Sequence, residues 1–278
     1  MNKYLKKIIF LAFTVLTVFL IIWHYAYGTA ELKYFPFNKK DTLKEWKEKI
    51  FHGRVLYEVK IDNNQGYLFA ESDKAASGLF YTISFSPKKY PYISWRWKVT
   101  KFPAKTLAAS LNKKSWIERD DYALRFYVIF PAFIFTNTKC LEYVWSEYLP
   151  EGTILTSPFY KNIKLLVLET GSEKSSDFVI EERNILEDYK DAFGRYPAGN
   201  IGAIALMTDS DNTQSSSEGC YSDIKVGYEK PLHVDIKEKK KEELKPPRRK
   251  RGDSQSHKPE WIQAVKEFIR HLLKLDQQ

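Results

Sequence analysis

Apolar residues fall along this chain in three rhythms. Over 8–26 they are nearly continuous, with no formally charged side chain and only His24 near the end. At about 1.5 Å per residue such a helix matches the roughly 30 Å hydrocarbon layer of a bilayer. From residue 51 to 235 they come in short runs rich in β-branched and aromatic residues, parted by turn clusters. These runs predict strands over 55–61, 66–70, 78–85, 92–100, 122–130, 141–145, 164–170, 178–183, 201–208 and 221–228. After Pro259 the spacing becomes helical: Trp261, Ile262, Val265, Phe268, Ile269, Leu272 and Leu273 share one face, opposite Gln263, Lys266, Glu267, Arg270 and Lys274.

Two shorter helices are predicted as well. Leu43, Trp46 and Ile50 suggest an amphipathic turn or two over 41–50, and a second helix over 185–193 is stopped by Gly194 and Pro197. The Lys- and Glu-rich stretch over 236–258, with Pro246-Pro247-Arg248-Arg249-Lys250-Arg251, reads as a disordered tether. The expected organisation is a signal anchor or transmembrane helix (1–30), a helical lead-in (31–50), a β domain (51–235), the basic tether (236–258) and the amphipathic helix (259–278). About ten strands with so little helix between them argue for a mostly β fold, an antiparallel jelly-roll or β-sandwich.

Composition changes this picture in one respect. The chain has a formal net charge of +9, but residues 31–235 carry 28 basic and 28 acidic side chains, so the excess sits in the termini. Basic termini around a neutral domain point to a membrane surface or anionic polymer and not to nucleic acid. Lys3, Lys6 and Lys7 precede the apolar run and no charge directly follows it. That asymmetry predicts an inner-membrane anchor with the domain facing the periplasm or cell exterior. Small residues at Ala26, Gly28 and Ala30 leave a cleaved signal peptide open, although the run is longer than an ordinary signal core. Cys140 and Cys220, with five scattered histidines, build no zinc site, and the spacing leaves a disulfide open.

Candidate chemistry follows from strand parity. Alternate residues face opposite ways, so Asp121, Ala123, Arg125 and Tyr127 share one face, and Tyr122, Leu124, Phe126 and Val128 the other, core face. Trp95, Trp97 and Val99 are likewise separated from Arg96 and Lys98, and Glu181 and Arg183 from Glu182. The expectation is one polar sheet face bearing Arg96, Asp121, Arg125, Arg183 and Asp209. Such a face can be a ladder of ion pairs, or a site where guanidinium and carboxylate groups bind vicinal hydroxyls and tryptophans stack on sugar rings. The expected ligand-binding set is Arg96, Trp97, Asp120, Asp121, Arg125, Trp145, Glu182, Arg183, Asp188, Asp209, Asp211 and Asn212. Asp209, Asp211 and Thr213 alternate as calcium ligands can, but Gln214 and Cys220 stand where an EF-hand needs Gly and Glu, and a solvated turn is the plainer reading. No cofactor is expected otherwise. No GxSxG, HExxH or phosphate-cradling glycine loop occurs, so no catalytic residue is assigned.

These residues also carry a family resemblance. Ala76-Ser77-Gly78-Leu79, Trp95-Arg96-Trp97-Lys98-Val99, Asp120-Asp121-Tyr122-Ala123 with Arg125, Tyr143-Val144-Trp145, Glu182-Arg183-Asn184 with Asp188-Tyr189 and Phe193-Gly194, and residues 205–213 resemble, in order, the bacterial domain of unknown function 3047. The resemblance covers about residues 50–228 and implies an exported β-sandwich akin to galactose-binding-type jelly rolls, with no activity attached. The functional expectation is a membrane-anchored, non-catalytic binding module for a glycan or envelope component. The alternatives are an accessory subunit of an envelope assembly docking through Trp261, Ile262, Val265, Phe268, Ile269 and Leu272, and a carbohydrate-active enzyme using two carboxylates.

Overall fold

A computed structural model describes residues 31–62, 65–105 and 120–229. All ten expected strands form: β3 (Leu56–Asp62), β4 (Gln65–Asp73), β5 (Ala76–Phe85), β6 (Tyr92–Lys101), β7 (Arg125–Phe130), β8 (Lys139–Ser146), β10 (Ile163–Thr170), β11 (Val179–Asn184), β12 (Ile201–Asp209) and β13 (Ser216–Tyr228). Three more join them, β1 (Lys33–Phe35), β2 (Lys47–His52) and β9 (Ile154–Thr156). Helix α1 (Ile185–Phe193) follows β11, its amide nitrogens at Leu186 and Glu187 capped by the Asn184 side chain and its end turned by Gly194 at φ 72°.

The strands make two sheets packed face to face. Sheet I runs β11-β6-β13-β4-β3 with β1 on β13, and sheet II runs β2-β5-β12-β7-β8-β10-β9. Pairing is antiparallel except for β8 with β10. The core between the sheets takes Trp95 and Trp97 from sheet I and Phe126, Val128, Tyr143 and Trp145 from sheet II, with Trp95 stacked on Phe126 at 4.3 Å. Period-two alternation is what closes the sandwich: one set of side chains from each strand buries against the other sheet while the alternate set is turned outward.

The lead-in differs from its expected helix. Residues Lys40–Glu45 form a short 3-10 helix, and Lys47–His52 then joins the edge of β5 as β2. Trp46 is buried against Phe35 at 4.9 Å, and once it is anchored the open edge of β5 offers the following residues a full ladder of hydrogen bonds that a short helix cannot match. The sandwich thus takes in β1 and the whole of β2, although the sequence spacing starts the β domain only at residue 51. Among the described residues no helix is long and apolar enough to cross a membrane. The expected anchor over 8–26, the tether and the helix bearing Trp261 to Leu272 lie outside the described residues.

Candidate functional site

Sheet II has a second apolar layer on its outer face, built from Phe80, Ile129, Cys140, Ala203 and Ala205. A cleft of about 460 Å³ opens over it. Its apolar wall includes Phe51, Phe159 and Ile163, and its other end is polar, with Asp120, Arg125, Glu142, Asp209 and Asp211.

Arg125 is the centre of that polar end. As the first residue of β7 it points outward, between Met207 on β12 and Val144 on β8. Its Nε donates to Asp209 Oδ1 at 2.9 Å and its Nη2 to Asp209 Oδ2 at 2.5 Å, a bidentate pair. Its Nη1 donates to Glu142 Oε1 at 2.7 Å and lies 3.6 Å from Asp120 Oδ2. Tyr127 O–H donates to the same Glu142 oxygen at 3.0 Å. One guanidinium therefore faces three buried carboxylates. Burial pushes the Asp209 carboxyl up to about 7 against the pull of Arg125, and pushes Asp120 well above the usual carboxylate range. Burial works against the Arg125 charge, yet Asp209, Tyr127, Asp120 and Glu142 together hold its pKa well above the ordinary value. A carboxyl that keeps its proton near neutral pH can donate a hydrogen bond as well as accept one, which suits hydroxylated ligands.

Asp121 has a different task. Its carboxylate accepts from Asn212 N–H at 3.2 Å, Asn212 Nδ2 at 3.0 Å and Thr213 N–H at 2.6 Å, so it pins the turn after β12. Asp121, Asp209 and Asp211 each bring one carboxylate oxygen within 4.8 Å of the others, a group that could hold a metal ion. Asp121 takes the place that the sequence spacing gave to Thr213. The Asp121 oxygens are held by turn donors and those of Asp209 by Arg125 and the Tyr122 amide, so two of the three carboxylates already have hydrogen-bond partners.

The expected single polar face is three separate places. Asp120, Arg125, Asp209, Asp211 and Asn212 line the cleft on the outer face of sheet II. Arg96 and Glu182 lie on the outer face of sheet I, where Arg96 sits 3.3 Å from Asp223 and Glu182 accepts from Tyr228 O–H at 2.8 Å. Trp97, Trp145, Arg183 and Asp188 lie between the sheets. Trp97 and Trp145 are fully buried, so neither is a stacking platform, and their Nε1 groups donate to Glu181 and to the Gly171 carbonyl. Arg183 and Asp188 form a bidentate pair that also receives Tyr143 O–H at 2.7 Å. Parity fails over 120–124 because β7 starts only at Arg125. Tyr122 consequently joins Val144, Leu165 and Val167 and not the core beside Leu124. Cys140 faces the cleft and Cys220 the outside of sheet I, and both are free thiols. Strand parity does place Tyr127 beside Arg125, though outside the expected ligand-binding set, and it gives no sign of Glu142 or Phe159. A lone Glu amid Leu141, Tyr143, Val144 and Trp145 was the available signal for Glu142.

Buried Glu181 makes a pH prediction. Burial and the Glu169 charge raise its pKa from 4.5 to about 7. The folded protein thus keeps a proton that the unfolded chain releases, so this contribution to stability is full below about pH 4.5 and is lost as pH rises through 7. Glu181→Gln keeps an acceptor for Trp97 Nε1. It is expected to stabilise the protein by about 2 kcal/mol at high pH and hardly at all at low pH. Urea unfolding of both chains across that range checks this; parallel pH profiles would refute it.

The model of a family described as "Protein of unknown function (DUF3047)" matches residues 44–225. This chain belongs to the DUF3047 family. The match takes in every strand but β1 and the last residues of β13, and every cleft residue named above, so the cleft lies within the DUF3047 domain. No curated protein matches this DUF3047 chain in sequence. Among solved structures it is similar to endoglucanase cel12A from Rhodothermus marinus (8% identity, TM-score 0.40, covering 73% of this chain and 98% of that one). It is similar too to the family 30 carbohydrate-binding module of a Clostridium thermocellum cellulosomal cellulase (8%, 0.37, 68% and 93%). A third is the enzymatically active domain of bacteriophage CBA120 tailspike protein 4 (10%, 0.36, 69% of this chain), of which the DUF3047 chain spans only 20%.

Proposed function

We propose that this protein is a non-catalytic binding module, held at the outer face of a membrane, whose sheet II cleft takes a glycan or another polyhydroxylated envelope component. The observation that carries the reading is the cleft itself: an apolar trough ending in a fixed array of one guanidinium and several carboxyl groups. Sugar rings offer both matching surfaces, C–H faces for the apolar wall and vicinal hydroxyls for bidentate polar groups. Phe51 and Phe159 on that wall replace the tryptophans as the aromatic surface.

Glycan-array screening of the full chain, followed by calorimetric titration of the strongest glycan, tests the reading. Asp211→Ala and Phe159→Ala, at residues only partly buried, are each expected to weaken binding about tenfold, or about 1.4 kcal/mol. Glycan binding that survives both changes would place the site elsewhere.

A further inference from the structure

The connection from β7 to β8 carries an exposure that neither core nor cleft explains. Phe133 is fully exposed, at 107% of its reference area, and Ile134 is 58% exposed. The segment is braced. Ala132 N–H donates to Thr138 Oγ1 at 3.2 Å, Asn137 N–H to the Ile134 carbonyl at 2.8 Å and Asn162 Nδ2 to the Thr136 carbonyl at 2.9 Å, and Tyr160 O–H reaches that same carbonyl. Two apolar side chains are thus held out in water by a structured turn, at a hydration cost that nothing inside the domain offsets.

Positive charge borders this tip. Lys139 opens β8 directly after the turn, and its ammonium lies 4.3 Å from the centre of the Phe193 ring, with that of Lys164 at 6.0 Å. The Phe193 ring thus lies beside both ammonium groups, and burial and the charges of Arg195 and Lys164 lower the Lys139 pKa. Exposed Lys161 shares a shallow groove with Lys164. Asp191 is the acid in that groove, and Glu187 lies 3.7 Å from Lys190.

The path of the chain points the same way. β1 pairs with the end of β13, Lys33 opposite Val226, and Leu32 N–H donates to the Val226 and Gly227 carbonyls. A Cβ on Gly227 would touch Phe85, the last residue of β5, and Phe85 pairs with Ile201, the first of β12. The described chain therefore enters and leaves at the end of the sandwich where β7 finishes, and that is the end carrying Phe133. In sequence, the apolar run over 8–26 lies just before the entry and the basic run over 248–251 after the exit.

We infer that this end of the sandwich is a membrane-docking surface. Phe133 and Ile134 enter the boundary between headgroups and acyl chains of an anionic leaflet, and Lys139, Lys161, Lys164 and Arg195 lie against its phosphates. The polar end of the cleft, at Arg125 and Asp209, lies at the opposite ends of β7 and β12 and faces away from the bilayer.

The test uses the full chain reconstituted in phosphatidylcholine vesicles with or without phosphatidylglycerol. An environment-sensitive nitrobenzoxadiazole label is placed at Phe133→Cys, and at Ile180→Cys on the exposed outer face of sheet I as the control; both native thiols are buried. In anionic vesicles the label at 133 is expected to brighten about twofold and to be quenched by a lipid-borne spin label. Both signals fall with Lys161→Glu and Arg195→Glu together, or at about 1 M salt. The label at 180 stays in water throughout. A label at 133 as wet as that at 180 overturns the inference. So does an equal signal in purely zwitterionic vesicles, and so does a shielded label that lipid-borne quencher cannot reach, which would mean a protein partner or second copy on the tip.

Discussion

Replacing Arg125 with Leu is expected to remove about 3–5 kcal/mol of folding stability near neutral pH, the largest effect of any single change in the cleft. The guanidinium holds Asp209 by two hydrogen bonds and Glu142 by one, with Asp120 at 3.6 Å, and all of these groups are almost fully buried. Without it, three buried carboxyls lose the charge that all of them face. The pKa values of Asp120 and Asp209, already raised by burial and pulled down by Arg125, then rise further, so the folded variant binds protons that its unfolded chain releases. The variant regains stability as pH falls into the ordinary carboxylate range and loses it as pH rises. Arg125→Lys recovers little, because one ammonium cannot make the bidentate contact with Asp209 and reach Glu142 as well. Denaturant unfolding of both variants across pH is the measurement. A deficit of the same size at every pH would mean that lost packing, and not stranded charge, is responsible.

The second large effect is expected at Asp121. Asp121→Ala removes the acceptor for the Asn212 amide, the Asn212 side chain and the Thr213 amide, three donors in one partly buried turn. A loss of about 3 kcal/mol follows from stranding donors that had bonded to a charged group. Hydrogen exchange should speed up over 210–213 before it does in either sheet. The same turn bears on calcium binding. Asp121 already accepts three hydrogen bonds and Asp209 is held by Arg125 and the Tyr122 amide, so calcium at about 1 mM is expected to leave the melting temperature of the unaltered protein unchanged. A calcium-dependent rise, lost in Asp121→Ala, would instead make Asp121, Asp209 and Asp211 a metal site.

Both effects come from residues that were singled out in the sequence, yet in roles the sequence did not assign. Asp121 and Arg125 are four residues apart, and strand parity put them on one face; the strand begins only at Arg125, so Asp121 serves the turn while Asp120 approaches the guanidinium. Parity within each strand groups Arg96 and Arg183 with Arg125, Arg96 opposite Trp95 and Trp97 and Arg183 opposite Glu182 and Asn184. Parity says that two sets of side chains diverge, but it does not say which of a sheet's two faces meets the other sheet. In β11, Glu181 and Arg183 lie on the inner side, opposite Trp95 and Ile93, and in β7 the charged set lies on the outer side. The tryptophans were misplaced for the same reason. Trp97 and Trp145 pack 6.0 Å apart between the sheets, filling space that only a second sheet creates.

What the sequence determined by itself is everything that depends on neighbours along the chain. It specified ten strands by period-two patterning, helix Ile185–Phe193 with its Gly194 stop, the neutrality of the β domain between basic termini, and the family. The tertiary structure decided whatever depends on residues far apart: strand order, the added strands β1, β2 and β9, the parallel pairing of β8 with β10, and the meeting of Arg125 with Glu142 and Asp209. The physical reason is that backbone hydrogen bonding and side-chain alternation are local and leave a signature in every short window. The register between strands is fixed only when two complete sheets bury their apolar faces together, and no short window contains both partners.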